Sequence, residues 1–459
     1  MKIVVLGAGI AGLGTALALG RYGHDVTLVE RDDVGSAVDA EDAFSHRGRQ
    51  GAPQTRHSHA FLARTRNLLA AEAPDVLEVL ARVGVQELRF TDDLPPEMDG
   101  FVPEPADEEL VALACRRTTF EWVLRDKVLD APTVRLVYGR AAGVALSSGM
   151  VATGVELEDG RVISADAVVD AMGRRSPMVA WIEAAGGRRP AETSADTGIV
   201  YSTRFYRLSE GADRPHQEGP IGGDLGYMKY AIFPADNRTF SITFAVPTTD
   251  AALRVLLRQV PFDRAALAMP ATSAWVEPGR SEPMTSVDVM ARLVNRKVDF
   301  VIDGRPVVTG LYAVGDSHIC TNPLYGRGCS LALVHAFALE RVLRDHDPAS
   351  VDAALAFHEE TAQELVPWYD AAVAQDAETA ESAATGLGNL VRDGLLPAAR
   401  RDPQVMRAFL RAFNLLAPPA SAMADPYVIG KVLEAYQERE VRPVVRLGPE
   451  RGELLEAIA

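Results

Sequence analysis

The stretch MKIVVLGAGIAGLGTALALGRYGHDVTLVE, residues 1–30, decides the fold because it joins two apolar runs through a glycine-rich turn and an Ala/Leu-rich segment. Gly7 permits a tight turn off the first strand, Gly9 lets the backbone approach a pyrophosphate, and Gly12 lets the helix lie close to the sheet. The N–H groups at the start of that helix attract a diphosphate. Glu30 follows Gly7 by 23 residues, near the roughly twenty expected for a carboxylate that binds ribose hydroxyls. The pattern predicts a dinucleotide-binding βαβ unit, and a glycine turn in an unrelated βαβ unit is the alternative.

The composition is that of a globular protein with a large core, and its acidity narrows the classes of partner. The chain has 459 residues, of which 47% are apolar, and a net charge of −16, which disfavours nucleic acid and anionic membrane surfaces. Its apolar runs fall short of the ~18 residues of a membrane span, and glycines interrupt the N-terminal run, so neither a span nor a signal peptide is predicted. Three cysteines without a C-x-x-C pair indicate a reduced, cytoplasmic protein without a cysteine-based metal site.

The pattern of strands and helices divides the chain into three predicted units. Residues 1–180 and 290–345 form a discontinuous nucleotide-binding domain, residues 181–289 an inserted sheet, and residues 346–459 a helical region. Ser58 is predicted to cap a helix. Alternating apolar residues predict antiparallel strands in the insert, and Asp–Pro pairs predict helix starts near the C-terminus. The strands are residues 199–208, 228–233 and 239–246, and the pairs are Asp402 with Pro403 and Asp425 with Pro426.

The segment LYAVGDSHICTNPLYGRGCSLALVHAFAL, residues 311–339, carries a family resemblance together with the N-terminal motif and Arg117. It resembles the flavoprotein monooxygenases of the aromatic-hydroxylase fold, most of all the branch of polyether-type epoxidases and styrene-type monooxygenases. The resemblance covers roughly residues 1–345. It implies an α/β protein with a Rossmann-like FAD-binding domain, an inserted antiparallel-sheet domain that binds the substrate, and a C-terminal helical segment.

The resemblance also implies which residues hold FAD. Asp316 would hold the ribityl chain, Pro323 would lie by the isoalloxazine ring, and Arg117 would reach the diphosphate, with Arg116 as the alternative. The start of the helix after residue 327 would direct its N–H groups at the pyrimidine end of the flavin, where a helix N-terminus stabilises the negative charge of the reduced state. The predicted cofactor-binding residues are Gly7, Gly9, Ala11, Gly12, Glu30, Arg31, Arg117, Asp316, Pro323, Gly328 and Cys329.

One departure from the family pattern concerns the source of electrons. The family has an Asp-Gly motif in the segment DAMGRRS, and its aspartate position falls here on Met172, with Asp170 as the remaining acid. A second strand–glycine turn–helix unit for a nicotinamide is also absent from the sequence. NAD(P)H is therefore predicted to supply electrons either directly or through a separate flavin reductase.

A basic stretch, HRGRQGAPQTRHSHAFLARTR at residues 46–66, stands out in this acidic chain. Arg47, Arg56, His57 and His59 are interpreted as a loop that clamps cofactor phosphate, gates the flavin or binds an anionic substrate group. A solvated face of salt bridges is the alternative. The two histidines have no third ligand near them in the sequence, so no metal site is predicted.

The predicted function is a FAD-dependent monooxygenase. A flavin hydroperoxide would transfer one oxygen atom of dioxygen to an apolar organic substrate, by epoxidation or hydroxylation, and no side chain is assigned a catalytic role. The aromatic residues of the insert either line the pocket or belong to the core. Two alternatives remain: a FAD-dependent reductase or dehydrogenase acting on an isoprenoid or polyketide double bond, and a protein that binds flavin without redox turnover. A halogenase is disfavoured because no W-x-W-x-I-P segment is present. The aromatic residues are Tyr201, Phe205, Tyr227 and Tyr230.

Overall fold

The computed structural model describes residues 1–33, 35, 37–46, 52–98, 100–216, 221–381, 390–422, 424–441 and 447–459. The strands form one parallel sheet and several antiparallel ones. They are β1 Lys2–Leu6, β2 Asp25–Glu30, β3 Gln86–Arg89, β4 Val111–Ala114, β5 Val134–Tyr138, β6 Ala141–Leu146, β7 Ala152–Leu157, β8 Val162–Ser164, β9 Ala167–Asp170, β10 Ala191–Asp196, β11 Ile199–Leu208, β12 Gly222–Asp224, β13 Lys229–Pro234, β14 Thr239–Pro247, β15 Ser281–Pro283, β16 Asp288–Met290, β17 Val294–Asp299, β18 Val301–Ile302, β19 Arg305–Pro306, β20 Leu311–Ala313 and β21 Ile319–Cys320.

The helices of the described residues flank the sheets and fill the C-terminal part of the chain. They are α1 Ile10–Arg21, α2 Ala40–Ser45, α3 Ala63–Glu72, α4 Pro74–Arg82, α5 Arg117–Leu129, α6 Met178–Ala184, α7 Gln259–Ala268, α8 Pro270–Val276, α9 Gly328–Asp345, α10 Val351–Glu364, α11 Val366–Glu381, α12 Leu396–Ala399, α13 Pro403–Phe413, α14 Pro419–Ala422, α15 Pro426–Gln437 and α16 Arg451–Ile458. In the part of the chain that the structure describes, none of these helices combines the length and apolarity that crossing a bilayer requires.

The parallel sheet has the strand order β20-β9-β1-β2-β5. Strand β1 is buried on both faces, as expected for a central parallel strand with a continuous apolar run. Ile3 and Val5 pack among the helices α1, α5 and α9, whereas Val4 and Leu6 pack against the β6–β8 meander and α6. Because β20 comes from after the insert, the chain returns to complete this sheet. The predicted βαβ unit at the N-terminus is confirmed.

The second sheet is antiparallel, with the order β12-β13-β14-β11-β15 and β16 paired to β11. Alternate residues of β11 and β14 face opposite ways. One face packs Tyr206, Phe240 and Phe244 against α7, α8 and α16. The other face, which we call the hydroxyl face, carries Tyr201, Thr203, Ser241 and Thr243. The predicted antiparallel insert is confirmed, and its three strands agree with the prediction to within one residue.

The C-terminal part of the described chain is helical, as predicted. Asp402 and Asp425 cap α13 and α15 by accepting hydrogen bonds from backbone N–H groups of the first turn, and a proline follows each. The last helix, α16, packs Leu454 and Ile458 into the core of the second sheet. The division of the chain into three units with the predicted boundaries stays a prediction.

The predicted helix cap at Ser58 is wrong. Helix α3 begins at Ala63, and Leu62 precedes it as the cap residue. The Ser58 hydroxyl instead lies 2.7 Å from Ser241 Oγ and 2.8 Å from Thr243 Oγ1 on the hydroxyl face. A long-range contact with the second sheet therefore replaces the local capping contact.

Candidate cofactor site

The carboxyl ends of β1, β2, β9 and β20 form one edge of the parallel sheet, which we call the carboxyl edge. The glycine-rich turn lies on it, and the three glycines meet different surroundings. A Cβ on Gly7, whose φ is +96°, would lie 2.7 Å from the Ala171 carbonyl oxygen, and one on Gly12 would lie 1.7 Å from the Gly7 carbonyl oxygen. A Cβ on Gly9 has no atom of the described residues within 4 Å. Two glycines therefore permit close packing, and Gly9 fronts open space at the start of α1.

Glu30 ends β2 and faces the glycine-rich turn. Its carboxylate accepts hydrogen bonds from the N–H groups of Ala8 (2.7 Å) and Asp32 (2.9 Å), and the residue is 5% exposed. Arg31 is different, because its side chain is 43% exposed and lies 3.8 Å from the Asp32 carboxylate. The structure therefore brings Glu30 to the carboxyl edge and leaves Arg31 at the surface.

The loop after β20 carries Asp316 onto the first turn of α1. Gly315 has φ +60°, and a Cβ there would lie 2.7 Å from Ala11 Cβ. Its N–H donates to His335 Nδ1 at 3.2 Å. Burial raises the pKa of the Asp316 carboxyl above its usual value, while the positive charges of Arg117 and Arg174 oppose that rise. Ala11, Asp316 and Arg117 thus lie close together, and their role in binding a cofactor stays a prediction.

Arg117 and Arg116 have separate surroundings. Arg117 begins α5, donates through Nε to Glu121 (2.8 Å) and through Nη1 to His59 Nε2 (3.1 Å), and is close enough to Asp316 for their charges to interact. Arg116 is buried against Asp236 and Glu41. Of the two alternatives, the geometry therefore favours Arg117 as the arginine of the cofactor site.

Residues 57–60, which we call the 57–60 segment, link this arginine to the second sheet. His59 accepts from Arg117 and donates through Nδ1 to the His57 carbonyl oxygen (2.9 Å). His57 Nδ1 lies 3.1 Å from Thr203 Oγ1 on the hydroxyl face. Arg56 is half exposed and lies 3.8 Å from the Asp288 carboxylate. Arg47, the fourth basic residue of the predicted loop, lies outside the described residues.

Residues 322–328, which we call the 322–328 loop, include Pro323 and end at the first residue of α9. A Cβ on Gly326, at φ +64°, would lie 2.8 Å from Ala60 Cβ, so this loop rests on the 57–60 segment. Gly328 begins α9, and a Cβ on it would meet no atom of the described chain within 4 Å. Burial raises the pKa of the Cys329 thiol to about 12, so this thiol stays protonated at neutral pH. Cys329 is close enough to Arg117 for the positive charge of Arg117 to act on the thiol. The first turn of α9 therefore lies near Arg117, with open space in front of Gly328.

Asp170, the acid left by the departure at Met172, holds a turn together. It ends β9 with no exposed surface, and burial raises the pKa of its carboxyl to about 6. Its carboxylate accepts hydrogen bonds from the Met172 N–H (3.0 Å) and the Ser176 hydroxyl. The carboxyl group therefore makes its hydrogen bonds to the protein's own residues, next to the glycine-rich turn.

Several residues at this site escaped the sequence analysis. Asn295, Asn322 and Asp376 form a buried network with Tyr201 and Tyr325 around the 322–328 loop. Only the Asn-Pro pair hinted at it, because asparagine before proline is typical of a turn. Of the four predicted aromatic residues, Tyr201 and Phe205 lie on the face that carries the hydroxyls. The other two, Tyr227 and Tyr230, donate their hydroxyls to the Pro449 and Leu447 carbonyl oxygens.

We expect the free energy of unfolding to fall as the pH is lowered below 6.5. Burial lowers the pKa of His57 and His318 to about 4 and that of His59 and His335 well below 6.5. Each such histidine takes up a proton only when the protein unfolds. This uptake favours unfolding, so each histidine lowers the free energy of unfolding by about 1.4 kcal/mol per pH unit between its unfolded and folded pKa values. Asp170 and Asp316, whose pKa values are raised, oppose part of this loss.

One variant isolates a single histidine in this pH dependence. His318→Phe keeps the aromatic packing against Phe300 and Phe357 and removes one titrating group. Urea denaturation between pH 7 and pH 5 should show that the free energy of unfolding changes less steeply with pH in the variant, by about 1 kcal/mol per pH unit on average over this range. Equal slopes for variant and wild type would contradict the assignment of His318 as a buried neutral group.

Comparison with known proteins identifies a family for most of the chain. A family model described as FAD dependent oxidoreductase (DAO) matches residues 2–339. Protein Rv3254 of Mycobacterium tuberculosis is 28% identical over 446 residues, which span 90% of this chain and 89% of that protein. The family model spans every residue of the carboxyl edge described above.

Solved structures share the fold at low sequence identity. PqsL of Pseudomonas aeruginosa, described as a probable FAD-dependent monooxygenase, is 18% identical with a TM-score of 0.57 over 83% of this chain and 96% of its own. The Diels-Alderase PyrE3 is 18% identical with a TM-score of 0.60 over 90% of this chain and 80% of its own. The predicted FAD-binding fold with an inserted sheet is confirmed.

Proposed function

This chain belongs to the DAO family of FAD-dependent oxidoreductases, and from that premise we propose that it is a monooxygenase. It would bind FAD along the carboxyl edge and transfer one oxygen atom of dioxygen to a small organic molecule. Bound FAD would supply the electron transfer and the reaction with dioxygen. The residues of the chain would bind and orient cofactor and substrate and exclude water from the site.

The residues of the carboxyl edge fit FAD. The open space before Gly9 admits a diphosphate that would accept hydrogen bonds from the first N–H groups of α1. Glu30 already accepts backbone N–H groups at the position expected for a ribose-binding carboxylate. Arg117 and Asp316 would reach the diphosphate and the ribityl chain, and Pro323 and the start of α9 would adjoin the flavin ring. Arg31, at the surface, would contribute little.

The observation that carries the proposal is the continuity between this site and the second sheet. The 57–60 segment contacts Arg117 through His59 and the hydroxyl face through His57 and Ser58. A substrate bound against the hydroxyl face would therefore lie next to the proposed flavin position. Such adjacency is what a reaction needs when the oxygen atom passes directly from cofactor to substrate.

The hydroxyl face bears on the substrate. We propose an organic molecule with a mainly apolar body that undergoes epoxidation or hydroxylation, as in the epoxidase-like branch. The hydroxyls of Thr203, Ser241 and Thr243 already bond to one another and to Ser58, so they offer little spare hydrogen-bonding capacity, which suits a molecule with a mainly apolar surface. Electrons would come from NAD(P)H, directly or through a flavin reductase, since Asp170 is engaged within its own turn.

Oxygen uptake tests the proposal. FAD-loaded protein receives NADPH or NADH, with and without a flavin reductase, and a panel of alkenes and aromatic compounds, while oxygen consumption and product are followed together. Monooxygenation predicts product only with oxygen, at one molecule of dioxygen consumed per product. Product formed equally well without oxygen would identify a reductase or dehydrogenase instead. If bound FAD is neither reduced by any of these electron donors nor reoxidised by oxygen, the protein has no redox function.

A further inference from the structure

A buried carboxylate of the C-terminal helices holds the 322–328 loop. Asp376 lies in α11 and is 7% exposed. Its Oδ1 accepts hydrogen bonds from Asn322 Nδ2 (2.8 Å) and the Tyr325 hydroxyl (2.9 Å), and its Oδ2 accepts one from Asn295 Nδ2 (2.7 Å). One side chain thus receives three donors, two of them from the loop and one from β17.

Asn322 extends this network to the second sheet. Its backbone N–H donates to Asn295 Oδ1 (2.7 Å), and its Oδ1 accepts from the Tyr201 hydroxyl (2.6 Å) and the Leu324 N–H (3.0 Å). Asn295 and Asn322 have no exposed surface. Buried polar groups whose hydrogen bonds are all made specify a single rigid arrangement. The loop is therefore fixed between α11, β17 and the hydroxyl face.

The fixed loop leads directly into the proposed cofactor site. Pro323 follows Asn322 directly, and Gly326 rests on Ala60 of the 57–60 segment. The loop ends where α9 begins, at Gly328, with open space in front. Any movement of the loop would therefore displace the first turn of α9, whose N–H groups face the position proposed for the flavin.

A buried positive charge accompanies the carboxylate. Arg327, the residue before α9, is 7% exposed and packs its guanidinium over the rings of Tyr325 (4.7 Å) and Trp368 (5.4 Å). Its Nη1 has no hydrogen-bond partner among the described residues. Burial lowers the pKa of this guanidinium to about 10, and the Asp376 charge opposes that change. The negative charge of Asp376 thus offsets a cation at the start of α9.

We propose that Asp376 is a positioning residue of the cofactor site, acting on FAD through the 322–328 loop and the charge of Arg327. The proposal rests on the placement of FAD described above. Asp376 lies beyond residues 2–339, the part of the chain that the family model matches. The C-terminal helices would therefore take part in holding the cofactor, in addition to packing.

The test compares Asp376→Asn with Asp370→Asn. An asparagine at 376 offers one acceptor oxygen to three donors, turns an amide toward one of them and removes the charge. Asp370 is an exposed carboxylate of the same helix and is the matched control. We expect Asp376→Asn to raise the dissociation constant of FAD about tenfold or more. The reduction potential of the bound flavin should rise as well, because a negative charge near the reduced cofactor is lost. Asp370→Asn should change neither.

A milder variant covers the case in which Asp376→Asn fails to fold. Tyr325→Phe removes one donor to Asp376 and keeps the ring over Arg327, so it should weaken FAD binding by a few fold. Unchanged affinity in either folded variant would overturn the proposal. Weaker binding by Asp376→Asn without a shift of potential would overturn it as well, since that would leave Asp376 a purely structural role. Gly9→Val separates the placement of FAD from the role of Asp376. If Gly9→Val binds FAD normally, the placement of FAD is refuted. If Gly9→Val loses FAD while Asp376→Asn binds it normally, only the role of Asp376 is refuted.

Discussion

Gly9→Val should abolish FAD binding and leave the fold intact. The Cβ at this position would enter open space in front of α1, so the folded protein has room for it. In the holoprotein that space would hold the diphosphate, whose hydrogen bonds to the backbone N–H groups would be lost. Two charge-assisted hydrogen bonds at about 1.5–3 kcal/mol each correspond to an affinity at least about 100-fold weaker. Titration with FAD, followed by flavin fluorescence, measures the loss.

Gly430→Val is the matched control for this variant. Gly430 lies in α15, away from the carboxyl edge, and a Cβ there also meets no atom of the described residues within 4 Å. It should bind FAD like the wild type. Circular dichroism and melting temperatures should show both variants folded. A folded Gly9→Val protein with wild-type affinity for FAD would contradict the N-terminal cofactor assignment.

Arg116→Gln should lower the free energy of unfolding by about 3–5 kcal/mol, because it breaks a buried ion pair and leaves one charge uncompensated. The guanidinium donates to Asp236 through Nε (3.0 Å) and Nη2 (2.6 Å) and to Glu41 through Nη2 (2.7 Å). The side chains of Arg116 and Asp236 are 1% and 0% exposed. These contacts join α5 and α2 to the turn between β13 and β14, so the loss should separate the second sheet from the first.

Arg140→Gln gives the comparison for Arg116→Gln. Arg140 lies 3.5 Å from the Glu158 carboxylate, and both side chains are 59% exposed, so its loss should cost no more than about 0.5 kcal/mol. Chemical denaturation of both variants measures the difference. An Arg116→Gln protein as stable as Arg140→Gln would show that the buried pair contributes little to the fold.

Much of the fold could be predicted because its signals are local. The apolar run of β1, the three glycines and Glu30 lie within 30 residues, so one segment contains the whole βαβ unit. The strands β11 and β14 alternate because one face of their sheet packs on helices. Asp402 and Asp425 cap their helices through contacts within three residues.

The parts that could not be predicted depend on contacts between distant residues. Ser58 has the residue type of a helix cap, yet its hydroxyl contacts Ser241, 183 residues away. In the sequence, nothing distinguishes Asp376 from the other polar residues of its helix. Its contact with Asn322 forms only in the folded chain. Neighbouring residues were equally ambiguous, since only the structure shows that Arg116 pairs with Asp236 while Arg117 lies near Asp316.

In the proposed reaction, FAD bound to this chain delivers an oxygen atom of dioxygen to an organic substrate. The most direct test is a single turnover with isotopically heavy dioxygen. The FAD-loaded protein is first reduced without oxygen. It is then mixed with the labelled dioxygen and a compound that stimulates oxygen uptake, and the mass of the product is measured by mass spectrometry. Monooxygenation predicts one labelled oxygen atom in each product molecule. Product without label, or flavin reoxidation that leaves the compound unchanged for every member of the panel, would contradict it.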